Sequence, residues 1–324
     1  MRAVQFSSFG APHAVADVVD LPEPGAPGPG NVVVSLEASP INPADLLNLQ
    51  GRYGVVPTLP SIGGFEGVGR VTAVASDVKH LAVGDRVLLS GATWRERVEL
   101  AAGGLFALPQ GVPSEQLAML TINPLTARAM LQQAGLAAGD FIIKNAANSG
   151  VGRVLFGLAR RAGVQGIAVV RRPGLEDMLK EWGAAHVVVD GPDLAQRVRA
   201  IVGGGVLRHG IDAIGGAATG RIAACLGGGG TVVNYGLLSG EACQISGGDL
   251  VFRGITLRGF WVGRWLQVTP RAEIAAAFAE LAGLLAAGEL STPIEATYPL
   301  SRIREALQHA AREGRDGKVI VTAD

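Results

Sequence analysis

Cysteine is almost absent from this chain. Among 324 residues only Cys225 and Cys243 carry thiols, too few for a disulfide scaffold or a four-thiolate zinc site. Both read as small buried hydrophobes. Histidine is also scarce: His13, His80, His186, His209 and His309 are scattered with no ligand spacing, so no metal centre is expected. Net charge is missing, since 28 basic and 28 acidic residues cancel, and with it the basic footprint of a nucleic-acid binder. No apolar run is long enough for a bilayer. The most apolar helical stretch, 274–287, is short and interrupted by Glu280. The first six residues enter a strand pattern at once, without a charged leader. These absences predict a cytoplasmic protein with no membrane and no nucleic-acid partner.

Glycine, in contrast, is abundant at 47 residues, and apolar residues make up 48 % against 17 % charged. Such a composition suits a folded globular chain, and its length suits two domains. Residues 1–117 read as β-rich, with strand patterns at 31–38, 67–74 and 86–89 and turn chemistry at 22–30 and 84–85. From 118 onward short apolar strands alternate with helices. Strands are expected at 141–145, 166–170, 186–189, 211–214, 231–235 and 256–261, and helices at 151–162, 175–182, 194–202 and 220–226. That alternation predicts an α/β fold with a Rossmann doubly wound parallel sheet over 118–265. Residues 266–324, with helices at 271–287 and 301–312 and a strand at 318–322, are expected to rejoin the first domain.

One turn carries chemistry. Asn148, Ser149, Gly150, Val151 and Gly152 follow the strand 141–145 and open a helix. Glycines there let the backbone approach a pyrophosphate, and the helix N-terminus offers N–H donors and positive dipole. The strict G-x-G-x-x-G pattern is not met, because position 155 is leucine. At the end of the next strand, where an NAD enzyme would place a carboxylate for the ribose 2′-OH, stand Arg171 and Arg172. Guanidinium groups pair with a 2′-phosphate that a carboxylate would repel, so NADPH is the expected cofactor. Tyr235 and Gly236 end a later strand of the same sheet and are expected beside it.

Four runs make the chain recognisable: Ile41–Asp45 with Gln50–Gly54 and Gly63–Gly67; Ile122–Ala127; Asn145–Gly152; and Arg258–Trp261 with Trp265. In these it resembles the mitochondrial-type trans-2-enoyl-thioester reductases, a zinc-free branch of the medium-chain dehydrogenases/reductases near the quinone oxidoreductases. The resemblance implies a GroES-like catalytic domain from residues 1–117 and 266–324. It implies NADPH-dependent reduction of the C2=C3 bond of a trans-2-enoyl thioester, with hydride to the β-carbon and a proton to the α-carbon, and a homodimer joined at the edge strands of the cofactor sheets. Zinc alcohol dehydrogenases carry cysteine where this chain has Asn42 and His-Glu where it has Phe65-Glu66, so no metal is implied. Tyr53 is the leading candidate to orient the substrate or deliver a proton, and its phenol, with a pKa near ~10, is a stored donor. Asn42 is a candidate donor to substrate or ribose, and Trp261 to line the acyl or nicotinamide region. Asn123, Thr126 and Phe260 are implied near the cofactor, and Lys318 either contacts its phosphate or sits in a surface turn. The chain departs from the family at Lys144 and Arg153, which flank the glycine turn where neutral residues are usual, and at a shortened loop before Thr93-Trp94. Three rivals follow: a quinone or enone reductase on the same fold, a non-catalytic NADPH-binding protein, and, nearly excluded, a zinc alcohol dehydrogenase.

Overall fold

The computed structural model describes every residue from Met1 to Asp324 and divides into two units. One comprises Met1–Ile122 and Phe278–Asp324, the other Asn123–Ala277. The chain thus returns to the first unit at Phe278, whereas the sequence suggests a return near 266. In chain order the strands are β1 (Arg2–Phe6), β2 (Ala16–Asp20), β3 (Asn31–Pro40), β4 (Ser61–Ile62), β5 (Glu66–Val74), β6 (Arg86–Ser90), β7 (Arg97–Ala101), β8 (Phe141–Lys144), β9 (Gln165–Val170), β10 (His186–Val189), β11 (Leu207–Asp212), β12 (Thr231–Asn234), β13 (Thr256–Gly259), β14 (Ile294–Pro299) and β15 (Lys318–Thr322).

In the first unit β3 is the hub. It pairs antiparallel with β5, β7 and β15, and its run of valines at 32–34 is buried, as expected for a strand covered on both faces. The core around it gathers Phe6, Val34, Leu36 and Trp94 with Leu300, Leu307, Val319 and Val321 from the C-terminal segment. Trp94 explains two glycines. A Cβ on Gly63 would stand 2.3 Å from its ring, and one on Gly64 2.2 Å from Thr93 Oγ1. Gly64 also has φ of 91°, a region that side chains avoid. Only glycine therefore lets the chain turn here and present Phe65 and Glu66. The region read as β-rich also holds a helix, Pro43–Leu49. Asn42 precedes it, Pro43 opens it, and Asp45 accepts the Asn42 N–H from the third helical position, a start signal written in the sequence.

The second unit is a six-stranded sheet, ordered β10-β9-β8-β11-β12-β13, with every pair parallel. This is the expected doubly wound arrangement. Strand order reverses between β8 and β11, so the crevice at their carboxyl ends is the topological switch point. Two boundaries differ from expectation. β11 covers Leu207–Asp212 and not 211–214, because Asp212 turns the chain by accepting the N–H groups of Ile214 and Gly215. β13 stops at Gly259, since Trp261 already leads into the helix Val262–Val268. The missing third glycine of the turn has a counterpart on the strand. A Cβ on Gly166 would lie 2.6 Å from the Phe156 ring, so β9 and not the helix provides the room for close helix–sheet packing.

Candidate active site

Each of the two units gathers its own polar groups. In the second, the glycine turn joins β8 to the helix Gly150–Arg161. Ser149 caps this helix by accepting the Gly152 N–H at 3.2 Å. A Cβ on Gly152 would stand 2.0 Å from the Ala147 carbonyl oxygen, so the turn is closed to any other residue. The N–H groups of Gly150 and Val151, as the first of a helix, have no intrahelical acceptor. Asn123 opens the helix Asn123–Ala134 against this turn, with Nδ2 placed 3.0 Å from a Cβ on Gly150. Thr126 is buried one turn further along the same helix.

Beneath the turn lies a buried lattice centred on Asp212. Its carboxylate accepts from Asn145 Nδ2 at 2.6 Å, Thr219 Oγ1 at 2.6 Å, Asn234 Nδ2 at 3.0 Å and the Ile214 N–H at 2.9 Å. Those donors keep it below the usual carboxylate range against the opposing effect of burial. Asn145 in turn accepts the Ala213 N–H through Oδ1 at 2.8 Å. Lys144, the last residue of β8, is fully buried and donates to the Asn145 carbonyl at 2.7 Å and the Ala146 carbonyl at 3.3 Å. Its ammonium lies 5.1 Å from the centroid of the Tyr235 ring. Tyr235 shares a hydrogen bond with Ser149, and burial pushes its phenol up. A Cβ on Gly236 would meet the Ala213 carbonyl at 2.6 Å. Arg171 and Arg172 stand exposed at the carboxyl end of β9. At the end of β10, Asp190 is held by Arg221 at 2.7 and 2.6 Å. Phe260 is half-buried, and Trp261 remains 41 % exposed with its ring against Gly263.

The helix N-terminus, the tight turn and the two arginines together fit a dinucleotide carrying a 2′-phosphate. Ser149, Gly150, Val151 and Gly152 would hold its pyrophosphate, and Arg171 and Arg172 its 2′-phosphate.

In the first unit three expected residues meet at Phe65-Glu66. Asn42 Nδ2 donates to Glu66 Oε1 at 2.8 Å, while Lys318 Nζ donates to Asn42 Oδ1. Glu66 Oε2 accepts the Ile122 N–H at 2.7 Å. Tyr53 lies in the loop after the helix Pro43–Leu49, with its ring 5.0 Å from that of Phe65. Asp45 accepts the N–H groups of Asn42 and Phe65 at 2.8 and 3.0 Å. Burial pushes Glu66 up to about 7, opposed by Lys318 and by the Asn42 amide. Burial also raises Asp45 to about 7, opposed by its backbone donors. The same cause lowers Lys318 to about 8, with Glu66 opposing. Lys318, expected at a phosphate or in a surface turn, thus has its ammonium on Asn42, whose amide is fixed at both ends. Nowhere do three or more His, Cys, Asp or Glu side chains group as metal ligands.

Sequence reasoning missed Asp212 and the structural part of Lys144. Asp212 ends an unremarkable strand, and only the register of β11 against β8 reveals it. Lys144 stood out by its departure from the family, which pointed to the turn but not to burial.

Comparison with known proteins places both units. Residues 28–119 match the alcohol dehydrogenase GroES-like domain, and residues 150–282 match the zinc-binding dehydrogenase family. The mitochondrial enoyl-[acyl-carrier-protein] reductase of Rattus norvegicus is 33 % identical over 331 residues, covering 99 % of this chain and 88 % of that protein. A candidate NADPH:quinone reductase from Bacillus thuringiensis superposes with a TM-score of 0.91 at 29 % identity, over 100 % of this chain and 99 % of the other. The complex of Etr1p with NADP and crotonyl-CoA gives a TM-score of 0.87 at 25 % identity over 99 % of each chain. Etr1p belongs to the mitochondrial 2-enoyl thioester reductase heterodimer of Candida tropicalis. The expectation of a cytoplasmic protein is overturned by these relatives: the rat enzyme and its counterparts in Homo sapiens, Arabidopsis thaliana and Caenorhabditis elegans are all mitochondrial.

Proposed function

This chain belongs to the zinc-independent medium-chain dehydrogenases/reductases, in the group of the enoyl-[acyl-carrier-protein] reductases, and from that membership we propose that it reduces the C2=C3 bond of trans-2-enoyl thioesters with NADPH. The observation that carries this reading is the match of 99 % of this chain to an enoyl reductase, together with a glycine turn and paired arginines suited to NADPH.

When bound, NADPH would supply the hydride for the β-carbon. The electron pair of the double bond then moves toward the thioester oxygen, and the α-carbon takes up a proton. An enolate oxygen needs preorganised donors. The Tyr53 hydroxyl serves as proton donor or as the group orienting the thioester. The second N–H of the Asn42 amide points as Glu66 and Lys318 dictate, and is the other candidate donor, toward substrate or ribose. Trp261 lines the acyl or nicotinamide region. Asn123, Thr126, Asn148, Tyr235, Gly236 and Phe260 shape the cofactor seat on the second unit. The acyl carrier is coenzyme A or acyl carrier protein.

NADPH oxidation with crotonyl-CoA and 2-hexenoyl-CoA, beside 9,10-phenanthrenequinone and with NADH as control, tests this. Thioester turnover that requires NADPH is expected. Tyr53→Phe should lower kcat by about 10²-fold or more if the phenol gives the proton, with NADPH binding unchanged. The superposition on a candidate quinone reductase favours one second reading, a quinone or enone reductase. Fast quinone turnover with inert thioesters would establish that reading instead.

A homodimer is part of the proposal. β13 is an edge strand whose four residues are all exposed, an open template for pairing with a second copy. The nearby Phe252 is 88 % exposed. A single-subunit mass in light scattering would overturn this.

A further inference from the structure

Lys144 is a wholly buried ammonium with no carboxylate bonded to it. Its partners are two carbonyl oxygens of the turn and the face of Tyr235. Buried charges are ordinarily paired. The one carboxylate that acts on it, Asp212, already accepts from Asn145, Thr219, Asn234, Ile214 and Gly215. The remaining charged groups on this end of the sheet do not supply an anion. Arg171 and Arg172 are cationic, Arg153 stacks over Trp182, Asp190 is taken by Arg221, and Tyr235 is held neutral by burial. Burial draws Lys144 down to about 7, with Asp212 opposing.

The position of this charge is specific. Lys144 ends β8 at the switch point, and its ammonium grips the carbonyls of the first two residues of the turn. Ala146 sits at φ of 44°, a left-handed conformation uncommon for a residue with a side chain. With those carbonyls drawn inward, the turn runs on to Ser149 and the N–H groups of Gly150 and Val151. An anion seated on those N–H groups would be a second counter-charge beside Asp212, whose oxygens are already taken by other donors.

We propose that Lys144 is a positioning residue for the cofactor and that NADPH binds the form of the protein in which Lys144 carries its proton. The inference rests on the NADPH reading above. Its thermodynamic consequence is linkage: a ligand that prefers the protonated form takes up a proton on binding wherever the free lysine is neutral. Affinity must then fall as pH rises above the titration of the free protein.

Isothermal titration of NADPH at pH 8, in buffers of different ionisation enthalpy, measures the proton uptake directly. At this pH the 2′-phosphate is already ionised, its second pKa lying near ~6 as for other phosphate monoesters. The native protein should take up most of one proton, and its Kd should rise by about fivefold to tenfold between pH 7.5 and 8.5. Lys144→Gln should take up none, bind about tenfold more weakly at pH 7, and show a flat Kd above that pH. Lys144→Arg, always charged, should keep affinity yet also take up no proton. If Lys144→Gln does not fold, the native profile set against Lys144→Arg still decides. Binding without proton uptake in the native protein, or uptake retained in either variant, overturns the inference alone. No measurable NADPH binding to the native protein overturns the cofactor reading and this inference with it.

Discussion

Glu66 shows how a single side chain can be pulled in opposite directions. Both of its oxygens accept hydrogen bonds, which calls for a carboxylate, while burial raises it from 4.5 to about 7. Asp45 is raised likewise. A carboxyl whose folded pKa is raised holds its proton more tightly in the folded than in the unfolded chain. Its contribution to stability therefore falls as pH rises from about 4.5 to 7. Each group contributes a slope of at most about 1.4 kcal/mol per pH unit. Lys318 has the opposite sign: lowered to about 8, it binds protons less well when folded, so its contribution rises with pH from 8 toward 10.5. Thermal melts should show Tm declining from pH 5 to pH 7. In Lys318→Met the decline should continue past pH 7, because the cation restraining Glu66 is gone, and the alkaline rise should shrink. A variant whose curve matches the native one would contradict this account. The candidate residues Asn42, Tyr53 and Lys318 were legible from sequence. Their convergence on Phe65-Glu66 was not, since β15 brings Lys318 to β3 from 276 positions away.

Glycines mark where elements meet, and two of them make opposite predictions. Gly152 opens the helix Gly150–Arg161 with a Cβ position only 2.0 Å from backbone oxygen. Gly152→Ala must push the turn away from Ala147, and should weaken NADPH binding by about tenfold or more. Gly283 lies inside the helix Arg271–Ala286 with open space where a Cβ would go. There Gly283→Ala should stabilise by about 0.5–1 kcal/mol, read as a higher denaturation midpoint with activity unchanged. The sequence pattern located nearly every strand of the second unit, because buried parallel strands are short continuous apolar runs. It misplaced the start of β11 because Leu207-Arg208-His209 is not apolar, although the ladder to β8 and β12 holds it in the sheet. It overlooked the helix Pro43–Leu49 because polar Asp45 and Asn48 are buried there, which hides the apolar stripe.

At the scale of the molecule the metal question has a direct answer. The family whose description covers residues 150–282 is that of the zinc-binding dehydrogenases, yet this chain brings no three ligand side chains together, and Asn42 is committed to Glu66 and Lys318. Turnover should survive exhaustive dialysis against a chelator with no loss of rate. A drop restored by added zinc would refute this.

The last strand has a consequence for how the molecule is made. β15 closes the first unit by pairing with β3 and β14, and it carries Val319 and Val321 into a core begun by Val4 and Phe6. The second unit, Asn123–Ala277, is by contrast one uninterrupted stretch. During synthesis, which proceeds from the N-terminus, the inserted unit can complete its sheet while the first still waits for its final strand. Throughout that interval β3 presents an unsatisfied edge over residues 39–40, so the newborn chain is most open to mispairing in the half that was translated first.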